Sequence, residues 1–121
     1  MLELEQLSYV IRGCVYEVYR QLGCGYLEKV YERALLRELS LQGLNAEQQV
    51  PFRISYKNEI IGEYYADIVV EGSLILELKA QQSMPRESEA QLLNYLKAGG
   101  LSLGFLVNFT FPRAQIKRIV L

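Results

Sequence analysis

Three ionisable residues interrupt two apolar segments that otherwise read as sheet interior. Tyr64-Tyr65-Ala66-Asp67-Ile68-Val69-Val70 carries Asp67, and Leu74-Ile75-Leu76-Glu77-Leu78-Lys79-Ala80 carries Glu77 and Lys79. Burying a charge is expensive unless it is paired or coordinates a metal. Glu71-Gly72-Ser73, between the two segments, reads as a tight turn in which Gly72 can take positive φ. That turn pairs Val70 with Leu74 and sets Asp67 opposite Glu77, with Cβ atoms about 4.5–5.5 Å apart. Lys79 lies two residues beyond Glu77 and so falls on the same face. Carboxylates this close repel unless a divalent cation or a shared proton neutralises them. One reading is a cation held by Asp67, Glu77 and the backbone carbonyl of Leu78. Such a cation polarises a phosphodiester and lowers the pKa of a bound water, while Lys79 orients that water or stabilises the charged transition state. The other reading is a buried ion pair between Lys79 and the carboxylates, without catalysis. Spacing alone leaves both open.

Composition narrows the chemistry. The 121 residues contain no histidine, which excludes the usual zinc hydrolases, histidine general bases and Ser-His-Asp triads. Catalysis is left to carboxylates, lysine, tyrosine or cysteine, and oxygen-only ligation points to Mg²⁺ or Mn²⁺. Cys14 and Cys24 have no metal-ligand spacing and read as thiols of a reducing compartment. The net charge of −1 gives no overall pull toward nucleic acid. From Arg86 onward, however, bases (Arg86, Lys97, Arg113, Lys117, Arg118) outnumber acids (Glu87, Glu89), which reads either as a face of modest positive potential or equally well as an ordinary solvated surface. No apolar run approaches a membrane span and no leader pattern opens the chain, so the expectation is one cytoplasmic domain over residues 1–121 with no membrane association.

The elements that must carry these residues follow from periodicity. Leu7, Ile11, Cys14 or Val15, Val18 and Leu22 predict a helix over 4–22, closed by Gly23. A second helix is predicted from about Tyr26 to Gln42. Val50, Phe52, Ile54 and Tyr56 then alternate with polar residues and predict a strand, with Pro51 placing its start at an edge. Lys57-Asn58-Glu59 reads as a turn, and strands over 60–70 and 74–80 follow. A helix over 87–98 ends at Gly99-Gly100, and strands over 101–108 and 114–121 close the chain. Two helices, three meandering strands, a helix and one or two strands predict a mixed α/β layer with helices on its faces. The strand–helix–strand unit over 74–108 should be parallel and right-handed.

An ordered set of motifs adds a family. Gly25-Tyr-Leu-Glu28-Lys-Val-Tyr31, then Ala66-Asp67 followed after nine residues by Glu77-Leu78-Lys79, then Gln91-Leu-Leu-Asn-Tyr95-Leu, then Val107-Asn108-Phe109 and Lys117-Arg118-Ile119, resembles the GxxExxY protein family, a branch of the PD-(D/E)xK nuclease superfamily. The resemblance covers about residues 7 to 121. It implies a restriction-endonuclease-like core: a central mixed sheet of three antiparallel strands plus a parallel fourth, flanked by helices. It implies Asp67 and Glu77 as metal ligands, Lys79 as the catalytic lysine, Glu28 as an additional acid, and Gln91 and Tyr95 lining the cleft. The chain departs from the family pattern at Ala66, where the motif has proline, and at Ser88, where many members have histidine.

These readings together predict an Mg²⁺-dependent nuclease, with Mn²⁺ as substitute, hydrolysing phosphodiesters of nucleic acid, DNA ahead of RNA. The alternative is a catalytically weak or inactive nuclease-fold module that binds nucleic acid or a protein partner. Ser88 and the near-neutral charge motivate it, because protein–nucleic acid interfaces are normally far more positive. So small a domain is also expected to work as a homodimer or with a larger protein.

Overall fold

The computed structural model describes residues 2–121. The chain runs α1 (Leu4–Leu22), α2 (Glu28–Leu41), β1 (Ala46–Tyr56), β2 (Glu59–Val70), β3 (Leu74–Lys79), α3 (Glu87–Gly99), β4 (Leu103–Phe109) and β5 (Ala114–Val120). The strands form one sheet in the order β1-β2-β3-β4-β5. β1, β2 and β3 make an antiparallel meander, β3 and β4 are parallel across α3, and β4 and β5 are antiparallel. This is the mixed restriction-endonuclease-like sheet expected, with a fifth strand at the far edge.

Two apolar clusters sandwich the sheet. On one face α1 and α2 contribute Leu7, Ile11, Val15, Val18, Tyr31, Leu35 and Leu39 against Ile68, Leu76, Leu78 and Phe105. On the other face α3 contributes Leu92 and Leu96 against Ala66, Ile75 and Leu106. β3 and β4, covered on both faces, are apolar apart from Glu77, Lys79 and Asn108, as a central parallel pair requires. α3 comes unusually close to the sheet at Gly104. A Cβ there would stand 3.0 Å from Leu92 Cδ2 and 3.2 Å from the Ile75 carbonyl. That close approach explains a glycine inside a buried strand.

Turn chemistry fixes the hairpins. Val70 pairs with Leu74, as predicted, across the three-residue turn 71–73, which the Ser73 N–H closes onto the Val70 carbonyl at 2.9 Å. The β1–β2 turn is shorter than predicted. Lys57 and Asn58, at φ 47° and 69°, form a two-residue loop and Glu59 already pairs with Tyr56. Two successive residues with positive φ match the right-handed twist of a hairpin. β1 also begins at Ala46, four residues before the predicted start, and α2 begins at Glu28, two residues late, because Leu27 is still extended.

Candidate metal centre

β2 and β3 part at the carboxylates. The ladder ends at Ile68–Leu76, and beyond it side chains replace backbone partners. The Asp67 N–H donates to Glu77 Oε1 at 3.1 Å, and the Leu78 N–H donates to Asp67 Oδ2 at 2.8 Å. Each carboxylate thus holds a backbone donor of the opposite strand. Asp67 and Glu77 meet here as the turn register dictates.

The strand also changes face at this point. Residues i and i+2 of a regular strand share a face. Ala66 nevertheless packs with the α3 cluster, while Ile68 and Val70 pack with the α1–α2 cluster. On the neighbouring strand, Gln48–Ile68 and Val50–Ala66 bracket Gln49 and Asp67, and Gln49 sits at φ 52°. A left-handed residue at this position marks the local break in the strand. Asp67 is thereby coupled to α2 on one side, and Glu77 to α3 on the other.

On the α2 side the partner is Glu32. It is only 6% exposed and takes two contacts from the Gln49 side-chain amide, at 3.2 and 3.4 Å. Burial, then the charge of Asp67, push its carboxyl above the ordinary range. Glu28, the acid named from the motif, lies one turn earlier, exposed in the first turn of α2. The acid that α2 buries beside the carboxylate pair is Glu32, not Glu28. Tyr31 positions this turn. It is fully buried, stacks on Phe109 with planes 2° apart, and donates its hydroxyl to the Gly23 carbonyl at 2.6 Å.

On the α3 side the Tyr64 hydroxyl donates to Glu77, and Tyr95 stacks on Tyr64 with planes 11° apart. Burial, then the Glu77 charge, raise the pKa of both phenols. Gln91 is exposed one turn before Tyr95. Tyr95 therefore reaches Glu77 through Tyr64, and Gln91 stays at the rim.

Electrostatically the site is a crowded anion. Burial, then the Asp67 charge, push Glu77 up to about 7, against the Tyr64 bond, the Asp67 N–H and Lys79, which all pull it down. Burial also raises Asp67, opposed first by the Leu78 N–H. Lys79 makes no ion pair within 4.0 Å. The four pairs among the described residues are Arg20–Glu17, Arg53–Glu63, Lys117–Glu89 and Arg118–Glu5. The closed Lys79 ion pair weighed from the sequence does not form. Lys79 acts on both carboxylates at longer range, joined at Asp67 by Lys29.

A family profile matches residues 5–119: the PD-(D/E)XK nuclease superfamily. The chain belongs to this superfamily. Among solved structures, the crystal structure of SSO0001 is similar in fold, with a TM-score of 0.61 and 23% identity over 76% of this chain. The match takes in 48% of SSO0001, so the chain spans about half of that protein's length. No curated protein is matched. Among the described residues no three Asp, Glu, His or Cys side chains gather as a metal-holding group, and no helix is long and apolar enough to cross a membrane. Within the superfamily frame, the centre is a two-carboxylate site with an unpaired lysine beside it. Tyr64, Glu32 and Gln49 are its unforeseen neighbours. For Glu32 a signal existed, since it lies three residues before Leu35 in the buried arc Tyr31-Leu35-Leu39.

Proposed function

We propose that this superfamily member is a catalytically weak nuclease-fold module that binds nucleic acid at the Asp67–Glu77 centre. The observation that carries this reading is the state of the two carboxylates. One oxygen of each already accepts a backbone N–H, Tyr64 adds a further donor to Glu77, and among the described residues no third acid joins them as a ligand group. The donor set still suits a hard divalent cation, because it is all oxygen and its mutual repulsion is what a cation relieves. Asp67, Glu77 and the Leu78 carbonyl would hold Mg²⁺, or Mn²⁺ in its place. The ion supplies Lewis-acid polarisation of a phosphodiester. Lys79 offers its ammonium to developing negative charge. Tyr95 and Gln91 line the approach from α3, and Glu28 stands at the outer rim of α2. DNA is the expected substrate class ahead of RNA, a larger protein is an expected partner, and the cytoplasm the expected location. The motif set supports placement in the GxxExxY branch.

One observation favours a fully active enzyme as a second reading. Lys79 is not neutralised by a close ion pair, so the catalytic ammonium of the superfamily motif remains available. Cleavage of single- and double-stranded DNA and RNA in Mg²⁺ and Mn²⁺ separates the two. The proposed module binds nucleic acid and cleaves it at well under about 1 s⁻¹, the low end of ordinary turnover. That cleavage falls at least about 100-fold in Asp67→Ala and Lys79→Ala. Turnover above that level establishes the active reading. Equal residual cleavage in the parent and both variants contradicts metal-site chemistry altogether.

A further inference from the structure

We propose that the outer face of α1 is a dimerisation surface, on which a second copy of this chain packs its own α1 antiparallel. The observations lie away from the carboxylate centre. A cleft of about 670 Å³ opens between α1 and the end of α2, lined by Tyr9, Gly13 and Tyr16 along α1 and walled by Glu38 of α2 and by Gln42 just after it. Tyr9 is 80% exposed and Tyr16 50% exposed. Large aromatic side chains standing in water beside a cleft are what an interface core presents.

Gly13 sharpens the reading. It sits in the interior of a 19-residue helix, where glycine is less stable than alanine. Its φ is not in the left-handed region, and a Cβ built on it meets nothing within 4 Å. Nothing within the subunit requires the missing side chain. A helix crossing over Gly13 would require it, because a small residue at the contact lets two helix axes approach closely.

The pattern along this face identifies the partner as the same chain. Glu5, Tyr9, Gly13, Tyr16 and Arg20 follow one another at spacings of three and four and share one helix face. A two-fold axis between Arg12 and Gly13 pairs Tyr9 with Tyr16 of the second copy, and Glu5 with Arg20 of the second copy. An isologous contact demands such self-complementarity. Both ions keep atoms for it. Glu5 Oε1 accepts from Arg118 Nη2 at 2.7 Å, leaving Oε2. Arg20 spends Nε and Nη2 on Glu17, leaving Nη1. Assembly would join these intrachain pairs into a network of alternating charge, with Arg118–Glu5 of one copy reaching Arg20–Glu17 of the other.

Sedimentation analysis of the full chain from about 2 to about 200 µM tests the proposal, because a reversible dimer shifts with concentration by mass action. A concentration-dependent dimer is expected. Glu5→Arg and Arg20→Glu, each removing two symmetry-related pairs, should each weaken it at least about threefold, and the double exchange should restore it to within about twofold. Gly13→Leu, which fills the notch, should leave a folded monomer by circular dichroism. A parent that stays monomeric to the highest concentration overturns the proposal and leaves the face to a different partner. So does a dimer that the single exchanges do not weaken, or that the double exchange does not restore.

Discussion

In EDTA the parent protein should lose stability as pH rises from about 5 to about 8, and Glu77→Gln should melt above the parent at the upper end of that range. Glu77 is raised from an ordinary 4.5 to about 7 by burial and by Asp67. A group raised in the folded state binds its proton more tightly there than in the unfolded chain. The stability this contributes is fully present below the unfolded value and is lost as pH passes through the folded value. The shift corresponds to roughly 2–3 kcal/mol once partial solvent screening is allowed for. Asp67 and Glu32 are shifted in the same direction and add to the slope. Glutamine keeps the Oε1 acceptor for the Asp67 N–H and the Tyr64 hydroxyl but never ionises. The variant should therefore lose most of the pH slope and melt about 5–10 °C above the parent near pH 8. Thermal melts of both proteins across that range check this. A Glu77→Gln protein that melts well below the parent would show a carboxylate that holds the sheet together rather than one poised for a cation.

The second large effect belongs to Tyr31. Its ring is fully buried and stacked on Phe109 at 4.3 Å, and its hydroxyl both donates to the Gly23 carbonyl and accepts from the Tyr26 N–H at 3.3 Å. One side chain thus ties the α1–α2 elbow to the sheet and sets the turn of α2 that carries Glu32. Tyr31→Ala should cost about 3–5 kcal/mol, as large cavities in a packed core do. Against a typical domain stability of about 5–15 kcal/mol, that leaves a marginal fold. Tyr31→Phe keeps the stack and should cost only about 1 kcal/mol. Urea titrations of the three proteins separate packing from hydrogen bonding. Equal losses in the two variants would contradict this division and place the whole contribution on the hydroxyl.

The site was legible where local chemistry determines it. The 71–73 turn sets the register of two strands, and from that register alone Asp67 and Glu77 come together. The segment 74–78, apolar but for Glu77, announces a strand covered on both faces. The motif names Glu28 as the additional acid, while the acid that α2 buries beside the pair is Glu32. The buried arc of α2 is decided by where the helix meets the sheet, and that contact involves β1 and β2, which follow it in the chain. Tyr64 and Gln49 were invisible for a different reason. Their roles follow from the strand break at Asp67, which moves Ala66 to the opposite face from Ile68. Period-two alternation cannot express such a break, since it assumes that i and i+2 stay together. The start of β1 was missed because Ala46 to Gln49 is an edge segment of mostly polar residues without a buried face to set a period. Lys79 was expected either to act on a substrate or to close an ion pair. Only the distances show that it makes no close pair.

Calorimetric titration of the folded chain with Mn²⁺ at about pH 8 tests the central claim most directly. Weak, saturable binding is expected, with a dissociation constant in the high-micromolar to millimolar range, about −4 to −6 kcal/mol. Glu77→Gln, while remaining folded, should abolish the signal. No binding to the folded parent at millimolar Mn²⁺, or binding unchanged in Glu77→Gln, would contradict a metal centre at Asp67 and Glu77.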